Sequence, residues 1–331
     1  MSLPLNLVYR SRPIQYPLIA AMNACDAWER ADIDLQSVKY VAGAAQSDPM
    51  LVRGECDFIF GSHISPYLHR FHGQPFVYLG QCVNWVNDVL VSREPLRSLR
   101  DLEGKRLAEQ PGVTAERHHS AHPGGNHLLY MRRESVDTHK VTFVGAKQRA
   151  RYVTVLDGEA DAAFVSPPED EEAREAGLHV LPLPPLPMVQ ATTLTTLWPT
   201  LESRRDLCEA VARAVLMGVS FIKTQPGAMW EVMEQDVARE LKIDSPRVLR
   251  HLHLENQSIL EPRLYPRADA VANAFELAVM EEPEIRDKLN PMSLWDIHLL
   301  RSIEETGFID DLYGGQVPGP GTVLGQSAQP A

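Results

Sequence analysis

Arg53-Gly54-Glu55-Cys56-Asp57-Phe58-Ile59-Phe60-Gly61-Ser62 returns about a hundred residues later as Asp157-Gly158-Glu159-Ala160-Asp161-Ala162-Ala163-Phe164-Val165-Ser166. Each copy is a Gly turn, an acid, a small residue, an Asp, a short apolar run and a small polar residue. A short apolar run bounded by turn signals suits a strand buried in a parallel sheet. Its polar end then falls at the carboxyl edge, where open α/β sheets bind ligands. One such run is only a strand with a turn before it. Two copies predict two similar α/β lobes, each contributing one strand to its own sheet and turning polar loops toward one cleft.

The composition sets limits. A chain of 331 residues is long enough for two lobes and a large core. A formal charge of −12 argues against general binding to nucleic acid or to acidic membranes, but not against a small anion held by local cations. The basic residues are mostly Arg, with seven Lys, and Arg suits bidentate contact with carboxylates. Cys25, Cys56, Cys82 and Cys208 form no CxxC pair, so neither a zinc ribbon nor a disulfide framework is expected. No apolar run is long enough to span a bilayer. Met1 leads straight into the strand-like Leu5-Asn6-Leu7-Val8-Tyr9 without the pattern of an export signal. The expected location is therefore the cytoplasm, or the periplasm if such a signal was removed.

Strands and helices alternate along the first two thirds of the chain, and helices dominate afterwards, as in an α/β protein. The residues after the first strand, 10–17, read as a loop and 18–30 as a helix. Residues 202–223 form one amphipathic helix with Leu207, Val211, Val215, Val219 and Ile222 on its stripe. Pro182–Pro187, with four prolines in six residues, suits a stiff return crossing. The expected division is a discontinuous first lobe of 1–90 with 190–315, a second lobe of 92–188, and a disordered Gly-, Pro- and Ser-rich tail of 316–331.

Three segments in this order carry a family resemblance: Gly54-Glu55-Cys56-Asp57 with its strand, Leu102-Glu103-Gly104-Lys105-Arg106-Leu107-Ala108, and Gly158-Glu159-Ala160-Asp161-Ala162-Ala163. The chain resembles the superfamily of nitrate, sulfonate and taurine substrate-binding proteins together with thiamine-pyrimidine synthase-like proteins. The resemblance implies a two-lobed type II periplasmic-binding-protein fold with the ligand between the lobes. That fold serves both binding proteins and enzymes. The size, the start of the chain and the closing Asn290-Pro291-Met292-Ser293-Leu294-Trp295-Asp296-Ile297-His298 segment look like the enzyme branch of the 4,5-dihydroxyphthalate decarboxylases.

Candidate chemistry concentrates in 116–127, where His118, His119, His122 and His127 fall within ten residues beside Glu116. Before a helix start these imidazoles could hold a carboxylate, donate a proton, or join Glu116 around a divalent metal; a solvated polar loop is the plain alternative. Ser62 and His63 follow the third strand. Arg10 and Arg12 follow the first and could clamp a carboxylate. Asn84 and Trp85 surround the first crossing, where Trp85 could stack on an aromatic ligand or pack the hinge. Ser166 and Glu169 close the second copy of the repeat, and Thr192 follows the return crossing. His69 and His72 read as surface residues. No nucleotide-binding loop, nucleophile elbow or metalloprotease motif occurs.

These readings predict a decarboxylase for a small aromatic dicarboxylic acid resembling 4,5-dihydroxyphthalate. Arg10 or Arg12 would hold the carboxylate that stays. One of His118, His119 and His122 would protonate the ring carbon, and the ring hydroxyls could bind His63 or a metal. The alternative is a transporter's substrate-binding protein for a small organic anion, without catalysis. The expected partner is a small anionic aromatic ligand rather than nucleic acid or a membrane, with a homo-oligomer left open.

Overall fold

The computed structural model describes residues 2–61, 63–109, 124–146, 150–190 and 192–319. Twelve strands occur among them: β1 Leu3–Tyr9, β2 Ile33–Tyr40, β3 Phe58–Phe60, β4 Phe76–Gln81, β5 Trp85–Val86, β6 Val89–Ser92, β7 Arg106–Glu109, β8 Thr142–Gly145, β9 Ala162–Val165, β10 His179–Pro182, β11 Leu186–Pro187 and β12 Thr193–Leu197. They form two five-stranded sheets, ordered β2-β1-β3-β12-β4 and β10-β6-β9-β7-β8, while β5 and β11 pair as a short ribbon where the chain crosses. In the first sheet β12 runs antiparallel to β3 and β4, and in the second β6 runs antiparallel to β9 and β10. The two copies of the repeat thus end as β3 and β9, one strand in each sheet.

The repeat has a local physical cause. Gly54 and Gly158, at φ of +71° and +75°, reverse the chain after the helices Ala44–Val52 and Arg151–Leu156. A left-handed residue there costs Gly nothing and other residues more. The next residue then bonds back into the helix it has left: Glu55 N–H donates to Met50 O and Glu159 N–H to Thr154 O. The Asp that follows ties the coming strand to its neighbour. Asp57 N–H donates to Asn6 O while Asn6 N–H donates to Asp57 Oδ2 at 2.7 Å. Asp161 N–H donates to Arg106 O while Arg106 N–H donates to Asp161 Oδ2 at 2.8 Å.

Two compact units result. The first comprises the described residues of Met1–Trp85, Pro187–Phe275 and Ile285 onward; the second comprises Val86–Leu186 with Glu276–Glu284. In the first, the helix Arg205–Thr224 buries the expected stripe, with Leu207, Val211, Val215, Val219 and Ile222 fully inaccessible. Each such side chain contributes roughly 1.5–3 kcal/mol. That helix begins at Arg205 because a separate helix, Trp198–Ser203, precedes it. It packs on the helix Arg12–Ala24 at Gly218, where an added Cβ would lie 2.4 Å from Met22 Cγ.

The helix Arg12–Ala24 corrects the expected loop over 10–17. Two prolines, Pro13 and Pro17, lie within it. Pro13 lies in the first turn, where a missing N–H loses no bond. Pro17 lacks the N–H that would bond the Pro13 carbonyl, and Asn256 Nδ2 donates to that carbonyl instead at 3.4 Å. Distant sequence thus supplies the missing partner. No helix among the described residues is long and apolar enough to cross a membrane. Residues 320–331 of the expected tail lie outside the described residues.

Candidate functional site

In the first unit, the carboxyl edge of the sheet is formed by the ends of β1, β3 and β4 and the start of β12. Arg10 leaves β1 there. Its backbone N–H and that of Ser11 both donate to Gln15 Oε1, at 2.6 and 2.8 Å, so the first turn of the next helix holds the strand end. Its side chain lies flat against Gly61, at the end of β3. A Cβ on Gly61 would stand 3.1 Å from Arg10 Cβ and Cδ, and the φ of +130° also favours glycine. Burial lowers the Arg10 pKa, against the opposing charge of Asp48. The guanidinium stays a cation, now partly stripped of water.

His63 stands beside this arginine. Burial, and then the Arg10 charge, bring its pKa down to about 3, so the imidazole is neutral near pH 7. Tyr78, on β4, is fully buried and its hydroxyl finds no hydrogen-bond partner among the described residues. Burial raises the Tyr78 pKa well above its ordinary value, and Asp48 and Arg10 act on it electrostatically. Asp48 is the buried anion of the group: Oδ2 accepts from Ser65 Oγ at 2.6 Å and contacts His69 Nε2 at 3.0 Å, and Oδ1 accepts from Ser47 Oγ at 3.0 Å. His69 also stacks on Phe76, with ring centres 4.7 Å apart. The expectation of His69 as a plain surface residue is therefore corrected: it joins the helix Ser65–Phe71 to the helix Ala44–Val52.

The other first-unit candidates have their own partners. Arg12 falls inside the helix. Its guanidinium lies 4.5 Å above the Tyr40 ring and 3.5 Å from Glu240 Oε1. Asn84 is buried, donating to Tyr265 O at 2.9 Å and accepting from Arg267 N–H at 3.0 Å. The Arg267 guanidinium covers the Trp85 ring at 4.5 Å. Thr192 is buried, and its carbonyl accepts from Cys82 N–H at 3.0 Å; burial raises the pKa of the Cys82 thiol to about 12. Next to it Thr193 Oγ1 donates to Gln81 Oε1 at 2.7 Å.

In the second unit, the carboxyl edge gathers Asp88, Glu109, His127 and Ser166 from four elements. Glu109 ends β7, Ser166 follows β9, Asp88 precedes β6, and His127 lies in the first turns of the helix Gly124–Arg133. His127 Nδ1 is 3.2 Å from Glu109 Oε1, and its Nε2 is 3.8 Å from Asp88 Oδ2. Ser166 Oγ donates to Asp88 Oδ1 at 2.5 Å. The imidazole stacks on Phe164, with ring centres 4.2 Å apart. All three ionisable groups are almost wholly inaccessible. Burial raises the Asp88 pKa, opposed by His127 and Arg151. The imidazole thus lies between two carboxylates, and a buried polar array of this kind holds only while its members stay paired. Glu169 opens the helix Glu169–Glu175, its N–H donating to Ser166 O.

Ser62, Glu116, His118, His119 and His122 lie outside the described residues. Among the described residues no cluster of three or more His, Cys, Asp or Glu is arranged to hold a metal ion. Reading by strand ends singled out Arg10, His63 and Ser166. The same rule, applied to Leu107-Ala108-Glu109, would have added Glu109. Tyr78 and Asp48 carry no such signal: one sits mid-strand, the other on a helix, and only packing brings them to Arg10.

The chain matches the NMT1/THI5-like family over residues 28–229. No relative was found among curated proteins. Its fold is that of the periplasmic binding proteins. A sulfonate ABC transporter's periplasmic sulfonate-binding protein SsuA from Methylobacillus flagellatus KT superposes with a TM-score of 0.69 at 12% identity, over 98% of this chain and 99% of that one. The periplasmic aliphatic sulphonate binding protein SsuA from Escherichia coli gives 0.67 at 16%, over 89% and 97%. The desulfurization enzyme DSZB gives 0.63 at 15%, over 92% and 98%. Likeness at these identities speaks for fold alone. The family match, by contrast, spans well over half of the sequence, and the chain belongs to the NMT1/THI5-like family.

Proposed function

We propose that this protein captures a small organic anion bearing one negative charge, a sulfonate or a carboxylate, and serves as a substrate-binding protein. The observation that carries this reading is Arg10, a partly desolvated guanidinium held at the carboxyl edge of the first sheet. A desolvated guanidinium attracts an oxyanion strongly and in a defined direction. Its neighbours suit a single charge: His63 is neutral, and the Tyr78 hydroxyl, without a partner among the described residues, can donate. The sulfonate-binding proteins that share the fold support the same class of ligand.

The decarboxylase reading has less behind it. The three histidines assigned to ring protonation, His118, His119 and His122, lie outside the described residues, and His63, neutral at pH 7, is a poor proton donor. A dicarboxylate would also bring a second charge to surroundings that already hold the Asp48 carboxylate. The fold by itself accommodates chemistry, as the desulfurization enzyme illustrates.

Calorimetry with benzenesulfonate, benzoate and 4,5-dihydroxyphthalate tests the proposal. Saturable binding of a monoanion that weakens by about tenfold or more in Arg10→Gln, roughly one charge-assisted contact, is the expected result. Release of CO2 from 4,5-dihydroxyphthalate, or monoanion binding that is unchanged in Arg10→Gln, would overturn it.

A further inference from the structure

We propose that Gly61 and Thr195 are positioning residues for Arg10, setting the affinity for an anion they do not touch. The inference rests on Arg10 as the anion-reading residue. Gly61 is pinned to the neighbouring strand on both sides of its peptide. Its N–H donates to Thr193 O at 3.0 Å, and its carbonyl accepts from Thr195 Oγ1 at 2.8 Å. Thr195 is fully buried on β12, so that hydroxyl has no competing water.

This fixes the Gly61 α-carbon as the floor on which the Arg10 side chain lies. Three successive carbons of Arg10 (Cβ, Cγ and Cδ) come within 3.1–3.3 Å of the place a Gly61 side chain would occupy. Gln15 Oε1 holds the Arg10 backbone N–H at 2.6 Å. A long, rotatable side chain is thereby held at its backbone and along its Cβ–Cδ stem, so less rotamer entropy remains to be lost when an anion arrives. Moving the floor redirects the guanidinium. The charge is kept, while its placement is lost.

The test uses benzenesulfonate as the anionic probe and benzenesulfonamide as its neutral match, on the full chain. The variants are Thr195→Val, Thr195→Ser and Gly61→Ala, with Arg10→Gln as reference and thermal unfolding followed in parallel. Thr195→Val and Gly61→Ala are expected to weaken benzenesulfonate by about tenfold while changing benzenesulfonamide by less than about twofold, since only the charge contact is misplaced. Thr195→Ser, which keeps the hydroxyl, should restore the wild-type affinity. If Gly61→Ala does not fold, the contrast between Val and Ser at Thr195 decides. Equal losses for both probes, or unchanged anion affinity in Thr195→Val, would overturn the inference. Wild-type anion binding that is lost in Arg10→Gln but kept in Thr195→Val would remove this inference and leave the proposed function standing. Absence of anion binding in the wild type would remove both.

Discussion

Asp161 repeats in the second sheet the contact that Asp57 makes in the first. Each accepts the backbone N–H of a residue on the adjacent parallel strand and returns its own N–H to that residue's carbonyl. Each also carries an arginine: Arg204 on Asp57, and Arg106 on Asp161 at 2.7 Å. Asp57 ties in a third segment through Arg204, which also donates to Pro4 O on β1 at 2.7 Å. Asp57→Ala is therefore expected to lower stability by about 2–3 kcal/mol, the loss of charge-assisted bonds that leaves a backbone N–H unpaired. Asp161→Ala removes a more exposed set and should cost about 1 kcal/mol. Asn at either position, which retains an acceptor oxygen, should recover part of the loss. Urea denaturation with unchanged m-values measures these differences, and a larger loss at Asp161 would contradict the argument.

The buried array around His127 makes a sharper energetic statement. Glu109→Ala leaves the Nδ1 atom of an inaccessible imidazole without its 3.2 Å partner and should cost about 3 kcal/mol. Replacing the pair together, as Glu109→Leu with His127→Phe, removes both polar groups and should cost clearly less than the two single changes summed. A double-mutant cycle by chemical denaturation reads this coupling. Additive losses would mean that the two groups do not depend on each other.

Two groups should bend the pH profile in opposite directions. The folded-state pKa of His63 lies at about 3, below the ordinary 6.5. The neutral ring therefore contributes stability that is full above pH 6.5 and is lost as the pH falls toward 3. The pKa of Asp88 is raised above the ordinary 3.8. Its contribution is full below that value and is lost as the pH rises through the folded-state pKa. Relative to His63→Asn, the wild type should lose stability between pH 6.5 and 4. Relative to Asp88→Asn, it should gain over the same fall in pH. Parallel profiles for wild type and both variants would show that neither group titrates differently on folding.

Much of this architecture could be read from residues alone because its signals are local. The Gly-acid-x-Asp run terminates a helix and starts a strand through contacts among near neighbours, so the repeat announced one strand in each of two sheets. The stripe from Leu207 to Ile222 announced a buried helix through its periodicity. The placement of Arg10 and His63 followed from strand ends. The start of the helix at Arg12 escaped because its unsatisfied Pro13 carbonyl is met by Asn256, some 240 residues away. Glu109 is legible by the same strand-end rule as Ser166, since it closes Leu107-Ala108-Glu109.

The sequence by itself determined the alternation of elements, the doubling of the α/β unit and the residues at several carboxyl ends. These depend on backbone geometry and side-chain period, which act over a few residues. Only the tertiary structure decided how charge is distributed at those ends. It turned Arg12 onto Tyr40 and Glu240, covered Trp85 with Arg267, laid Arg10 on Gly61 beside Asp48 and Tyr78, and enclosed His127 between Glu109 and Asp88. The physical reason is desolvation. The chemistry of an ionisable group is set by which water it loses and which partner replaces that water, and both come from parts of the chain that meet only when it folds.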